Sequence, residues 1–169
     1  MKHTEIVEFL SSKKLQEEVK GIFEKEKWII ENNVTVTDIQ NVGSTAIPGA
    51  IGKYDVDLQI RVSQEQFDEV IFFMKGYAEA KNPAYWTDQF ALFKDAKDII
   101  DYNVTVIGSR HDVFHHTRDY LIQYPNVLHE YVQLKLRYQG KTYGEYRDAR
   151  HSFFQSIKPL IRQLHNLPE

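Results

Sequence analysis

The sequence predicts an α/β (α+β) protein: a mixed β-sheet with one helix before it and a layer of helices after it. Three observations carry that reading. Residues 54–62 alternate without a break between apolar and polar side chains, the period-two signature of a strand. Residues 11–33 instead space their apolar side chains three and four apart, as an amphipathic helix does. Beyond Gly108 helical spacing returns and persists almost to the end, interrupted at Pro125 and Gly140.

The first helix rests on Leu15, Val19, Ile22, Phe23, Trp28 and Ile29, and Asn32-Asn33 ends it. The β-branched run over 34–42 predicts a short strand leading into a loop with Gly43, Pro48, Gly49 and Gly52. On the 54–62 strand Val56, Leu58, Ile60 and Val62 form one face, and Asp55, Asp57, Gln59 and Arg61 the other. Ser63 and Gln66 have capping-box spacing, opening a helix that reaches 73–75 and is stopped by Gly76. Further strands are expected over 84–86, 89–94 and 99–107, the last two joined by the polar turn 95–98. Helices over 111–124, 126–139 and 143–164 follow, the last with Pro159 in its interior, where a kink is expected. Trp28 and Trp86 are expected to anchor the core, and most of the ten tyrosines to pack with a wet hydroxyl. The whole reads as a single domain over residues 1–169, with its core about 30–108 and C-terminal helices about 110–165.

A net charge of −3 argues against a protein that coats extended nucleic acid. The charge is uneven: residues 1–109 carry −6 and residues 110–169 carry +3, with six of the seven histidines in the second part. That distribution suits a small anionic ligand accompanied by metal ions. The absence of cysteine excludes thiolate nucleophiles, disulfides and Cys-based metal sites, and makes the cytoplasm the expected compartment. No run approaches the roughly 18 apolar residues of a membrane span, so neither insertion nor export is expected.

The feature that carries chemistry is Gly43-Ser44 in its turn-rich loop, followed 11 residues after Ser44 by Asp55-Val56-Asp57. Aspartates at i and i+2 of a strand share a face and can hold a hard divalent cation. Mg²⁺ is the expected ion, because it takes one or two carboxylates and completes its shell with phosphate oxygens and water. Glycine lets backbone amides approach a phosphate and serine adds a donor, so a nucleoside triphosphate would lie between loop and strand.

The run Asn41-Val42-Gly43-Ser44-Thr45-Ala46-Ile47-Pro48-Gly49, then Lys53 and Asp57, resembles the GrpB (UPF0157) family, and more distantly the nucleotidyltransferase superfold of polymerase-β type. The resemblance continues through Arg118-Asp119-Tyr120-Leu121, Glu130-Tyr131 with Lys135, and residues 146–154, covering roughly residues 15–157. Asp57 matches the family's acidic position and Asp55 supplies the first member of the superfold pair. Asn41 stands where many such sequences have His. The Lys53-Tyr54-Asp55-Val56-Asp57 run replaces a Lys-Pro-hydrophobic-hydrophobic-Asp pattern. The resemblance implies a nucleotidyltransferase-type sheet, adds Thr45 to the nucleotide-binding loop, and implies a third carboxylate on a later strand. Asp101 is the candidate, sharing a face with Asn103 and Thr105.

Among the cations, Lys53 at the loop–strand junction is expected to balance triphosphate charge, ahead of Arg61 on the same strand. Arg118 could meet a phosphate from the helical face expected to carry His111 and His115. Lys135 and Arg150 match basic family positions but sit in helices whose exposed faces are rich in such residues. A zinc face from His111, His115 and Asp119 lacks any His-Glu-x-x-His support.

The expected function is therefore Mg²⁺-dependent transfer of a nucleoside monophosphate from an NTP to an acceptor the sequence does not identify. Asp55 and Asp57 would hold metal, Asp101 would complete the catalytic set, and Gly43, Ser44, Thr45, Lys53 and Arg118 would bind nucleotide. The alternatives are a non-catalytic nucleotide-binding or protein-interaction module on the same fold, and a phosphohydrolase using water as nucleophile.

Overall fold

The computed structural model describes residues 3–168. In chain order it contains β1 (Leu10–Ser11), α1 (Ser12–Glu31), β2 (Asp38–Asn41), β3 (Ile51–Gly52), β4 (Val56–Val62), α2 (Gln64–Tyr77), β5 (Glu79–Ala80), β6 (Phe90–Lys94), β7 (Ile100–Val106), α3 (Phe114–Gln123), α4 (Pro125–Tyr138) and α5 (Tyr143–His165). Two 3₁₀ turns, Ser44–Ala46 and Pro83–Tyr85, complete the regular structure.

Five strands form a mixed sheet in the order β2-β4-β7-β6-β5, and β1 pairs with β3 in a separate two-stranded ribbon. β4 is antiparallel to β2 and parallel to β7. β7 in turn is antiparallel to β6. The alternation expected of β4 becomes a division of labour. Val56, Leu58, Ile60 and Val62, with Ile100, Tyr102, Val104 and Val106 of β7, pack against Leu15 and Val19 of α1 and Phe67, Val70, Ile71 and Met74 of α2. Each such fully buried aliphatic side chain contributes roughly 1.5–3 kcal/mol of transfer free energy. The opposite face of β4 and β7 is turned to the C-terminal helices, and it carries the polar residues.

Several sequence expectations are corrected. Gly76 does not stop α2, which runs to Tyr77. The Tyr77 ring stacks on Phe73 at 5.3 Å and its hydroxyl donates to Glu26, so the last turn is held by contacts that outweigh glycine's low propensity. Residues 84–86 are not a strand: Asn82 in a left-handed conformation and Pro83 start a 3₁₀ turn there, and the edge strand is Glu79–Ala80 instead. Trp28 is 65 % exposed. It lies off the stripe of α1 that faces the core, where Glu26 takes an inward position, accepting hydrogen bonds from Tyr77 and Tyr102 at 2.6 and 2.8 Å. Trp86 does pack against the core. α3 begins at Phe114, so His111 precedes the helix and does not share a face with His115 and Arg118. α5 spans Tyr143–His165 with Pro159 inside it, in line with the helix expected over 143–164.

The segment before β1 crosses the helical layer. The Val7 amide donates to Lys141, and Gly140 and Tyr143 donate back to Val7 and Glu5. Val7 and Phe9 are thereby buried with Leu134 and Tyr146, which brings α4 and α5 together over the polar face of the sheet. No helix among the described residues is long and apolar enough to cross a membrane.

Candidate functional site

Between the polar end of β4–β7 and the C-terminal helices lies a cavity of about 310 Å³. Gly43 and Ser44, Lys53, Asp55 and Asp57, Asp101 and Arg118 all line it. Seven of the eight residues expected to form the site, drawn from four parts of the chain, therefore meet. Thr45 is the exception: it is buried, and its hydroxyl donates to the Asp55 carbonyl at 3.4 Å, so it positions the aspartate segment and does not face the cavity.

The local geometry explains the sequence. β2 ends at Asn41 and the chain turns at Gly43, with Ala46 and Ile47 amides donating to Gly43 and Ser44 carbonyls to form the 3₁₀ turn. A Cβ on Gly43 would lie 2.5 Å from Asp57 Oδ2, so only glycine lets that carboxylate occupy its place. The Val42 amide donates to the Asp57 carbonyl at 2.8 Å, tying loop to strand. In the parallel register Asp57 stands opposite Asp101, as Gln59 stands opposite Asn103. Asp55 precedes β4, with its amide bonded to the Lys53 carbonyl.

The charges are arranged unequally. Lys53 pairs with Asp55 at 2.6 Å, and Lys81 pairs with Asp101. Burial works against the Lys53 charge, but Asp55, Tyr143 and Asp57 outweigh it and hold the ammonium above its usual range. Asp57 has no such close partner among the described residues. Burial first, then Asp55 and Asp101, push its carboxyl up to about 6, against the opposing pull of Arg150 and Lys53.

Arg118 lines the wall but is already engaged: its Nη1 donates to the Asn41 carbonyl at 2.9 Å, its Nη2 to Gln40 Oε1 at 2.8 Å, and its Nε to Asp119. It fixes the strand end that launches the Gly43 loop. Arg61 does not reach the cavity cluster. Asp112 takes it in a two-pronged pair, Nε and Nη2 at 2.8 and 2.9 Å, and its Nη1 lies 3.3 Å from Asp38. Fully buried Gln59 donates to Thr105 and Asp112 and accepts from the His115 amide and Nδ1, and no buried polar side-chain atom among the described residues lacks a partner. That half of the polar face is structure. The zinc reading fails here, because His115 is committed to Gln59 and no set of three metal-competent side chains stands together among the described residues.

A family model described as GrpB protein matches residues 12–159. The chain belongs to the GrpB family. Curated relatives include a UPF0157 protein of Vibrio cholerae, 21 % identical over 89 % of this chain and 81 % of that one. Another is the glutamate-rich protein GrpB of Alkalihalophilus pseudofirmus, 29 % identical over 87 % and 88 %. The crystal structure of conserved protein GrpB from Enterococcus faecalis superposes with a TM-score of 0.65 at 14 % identity, covering 94 % of both chains, and so shares the fold.

This GrpB chain brings further residues to the cavity: Lys81, Tyr131, Lys135, Tyr146, Arg150 and Phe9. Lys135 is 2 % exposed, donates to the Ile51 carbonyl, and lies over the Tyr131 ring at 4.4 Å. Burial lowers its pKa more than Tyr131 restores it. Burial would raise the Tyr131 phenol, but Lys135, Arg150 and a hydrogen bond with Tyr146 prevail and lower it. Tyr146 shifts upward, by burial and the neighbouring Tyr131. The Arg150 guanidinium is surrounded by protein although the residue as a whole keeps exposed surface; burial opposes its charge, yet Tyr131, Tyr146 and Asp57 hold it firmly protonated. A signal was present in the sequence: Tyr131 and Lys135, then Tyr146 and Arg150, repeat one Tyr–cation pair at i, i+4 on consecutive helices. Among the described residues, five cations line the cavity against three carboxylates.

Proposed function

We propose that this GrpB chain is a Mg²⁺-dependent nucleotidyltransferase on a nucleotidyltransferase-type sheet, acting on an NTP and an acceptor hydroxyl or phosphate. The observation that carries the reading is the meeting of the Gly43-Ser44 loop with Asp55, Asp57 and Asp101 around one cavity that five cations also line, between apolar and aromatic side chains. Surplus positive charge suits a triphosphate, and the crowded aspartates suit a cation.

Asp55 and Asp57 suit Mg²⁺, which needs only one or two protein carboxylates; no three acidic side chains form a closed metal site among the described residues. The pair offers carboxylate oxygens, and a divalent ion would offset the cost of ionising Asp57, which burial raises first and Asp55 and Asp101 raise further. Asp57 and Asp55 would hold the ion, with phosphate oxygens and water completing its coordination. When bound, Mg²⁺ supplies neutralisation of the charge on the transferring phosphoryl group. Ser44 and the Gly43 backbone would hold the phosphates, and Lys53 would balance charge on the departing pyrophosphate. Asp101, held by Lys81, accepts the acceptor's proton as its oxygen bonds to the α-phosphorus; the bond between that phosphorus and the bridging oxygen breaks, and pyrophosphate leaves.

The Lys81–Asp101 pair also favours a second reading, a nucleotide-binding module in which that carboxylate is permanently engaged. Thermal unfolding with NTPs, with and without Mg²⁺, tests binding on wild type and the Asp55→Ala/Asp57→Ala variant. A saturating nucleotide at 100 times Kd stabilises by about 2.7 kcal/mol. Wild type should show that gain only with Mg²⁺ and the variant should lose it; a wild type indifferent to every NTP sinks both readings. Pyrophosphate release with a labelled adduct then separates transfer from binding alone, and free phosphate release would point to hydrolysis.

A further inference from the structure

A second cavity, also about 310 Å³, lies beside the first, and Arg150, Phe114 and Phe154 belong to the walls of both. Its chemistry differs. Arg110, from the turn after β7, and Lys158, from α5, join Arg150 on its lining, and no carboxylate lines it among the described residues. Neither Arg110 nor Lys158 has an ion pair there with any described acid. Arg110 Nε donates to His111 Nε2 at 3.1 Å, which commits that imidazole nitrogen as an acceptor and leaves the arginine's charge uncompensated. Arg162, one turn beyond Lys158, spends its guanidinium on the Arg110 and Pro168 carbonyls and adds another positive charge. The rest of the lining mixes apolar and aromatic side chains, Phe114 and Phe154 among them, with the polar groups Thr117, His151 and Gln155 and with His111, whose ring stacks on Phe90 at 4.5 Å.

We infer that this cavity is a subsite for a phosphate monoester carried on a flat or apolar body, and that the ligand's phosphate is bound by Arg110 and Lys158. Three cations brought together without an acid repel one another, and a dianion at their centre removes that cost. The strain is visible in the neighbours: burial, then Arg162 and Arg110, lower the Lys158 ammonium. Burial, then Arg110, Lys158 and Arg162, lower His111. Arg150 reaches from this subsite to the first cavity, which places such a ligand next to the nucleotide site. Naming it the acceptor rests on the transfer reading; the anion site itself does not.

The test is calorimetric titration of the full chain with inorganic phosphate at constant ionic strength, on wild type and on Arg110→Gln/Lys158→Gln. Wild type should bind phosphate and the double variant should bind it at least tenfold more weakly. Its response to Mg²⁺ with NTP should stay within twofold of wild type. An independent readout on the unmutated chain is the His111 ring resonance, whose apparent pKa should rise when phosphate is added. A double variant that binds phosphate as wild type does, or a wild type that binds it no better than chloride, overturns the proposal. Phosphate binding that wild type shows and the double variant loses, with no response of wild type to NTP, supports this site and rejects the nucleotidyltransferase reading.

Discussion

Asp57 and Asp101 stand opposite each other across the parallel pairing of β4 and β7, and only Asp101 has a lysine in contact. Asp55, beside them, is likewise paired, with Lys53. The member of the group with no ion pair among the described residues is thus the one pressed against the Gly43 backbone, and burial, reinforced by Asp55 and Asp101, makes its ionisation costly.

That cost is measurable. A carboxyl whose pKa rises on folding from 3.8 to about 6 keeps its proton more tightly in the folded state. Its stabilising effect is complete below about pH 4 and is lost as pH climbs through 6. Asp57→Asn should therefore match wild type in thermal stability near pH 4 and exceed it at pH 7.5, by about 1–3 kcal/mol. Mg²⁺ should narrow the gap by stabilising wild type alone. Unfolding curves from pH 4 to 8 check this; equal stability at pH 7.5 would show that Asp57 ionises without penalty.

Gly43→Ala tests the close approach directly. The backbone there is extended, with φ −72° and ψ 170°, which alanine adopts freely, so its effect is steric. The added methyl must displace the Asp57 carboxylate. A stability loss of about 1–3 kcal/mol is expected, as for other overpacked positions, together with loss of the Mg²⁺-dependent nucleotide response. A variant that binds nucleotide normally would mean that the carboxylate has room to move aside.

Much of this arrangement is legible in the sequence because it depends on local patterns. The period-two run puts Asp57 on a strand, Ser63 and Gln66 announce α2, and Asp101 shares its face with Asn103 and Thr105. What pairing alone decides is not legible: that β7 lies next to β4, which places Asp101 beside Asp57, and that the segment before β1 delivers Phe9 to the cavity. Arg61 and Arg118 are basic residues near the aspartates in the same way as Lys53. Only the position of Asp112, from a turn 51 residues further along, diverts Arg61, and Asn41 and Gln40 occupy Arg118.

Asp101 and Lys81 separate catalysis from binding. If Asp101 takes the acceptor's proton, Asp101→Asn should lower transfer by about 10²–10⁴-fold while the thermal response to NTP persists. Lys81→Gln should lower transfer less, because it removes the contact that orients the carboxylate and not the base itself. Labelled-nucleotide transfer assays compare them. Equal transfer by Asp101→Asn and wild type would show that Asp101 is not the base, and no transfer by wild type would favour the binding module.

The second half of the polar face should prove as costly to disturb as the first is chemically tuned. Asp112, 2 % exposed, accepts from Arg61, Gln59 and the Gly108 amide, so it joins β4 to the turn leading into α3. Asp112→Ala leaves Arg61 only its 3.3 Å contact with Asp38 and Gln59 only Thr105 as acceptor, and should cost about 2–4 kcal/mol. Arg61→Met in the same background should recover part of that loss, since it removes the stranded charge. The adjoining His115 sets the acid limit. Burial, with His116 and Arg61 acting in the same direction, lowers its pKa to about 4, so the folded state refuses a proton that the unfolded chain accepts. Stability should then fall as pH drops from about 6.5 toward 4, and His115→Gln should remove that part of the pH dependence. Denaturant unfolding of these variants across that range decides the matter: if His115→Gln keeps the wild-type slope between pH 6.5 and 4, another group is responsible for the acid sensitivity.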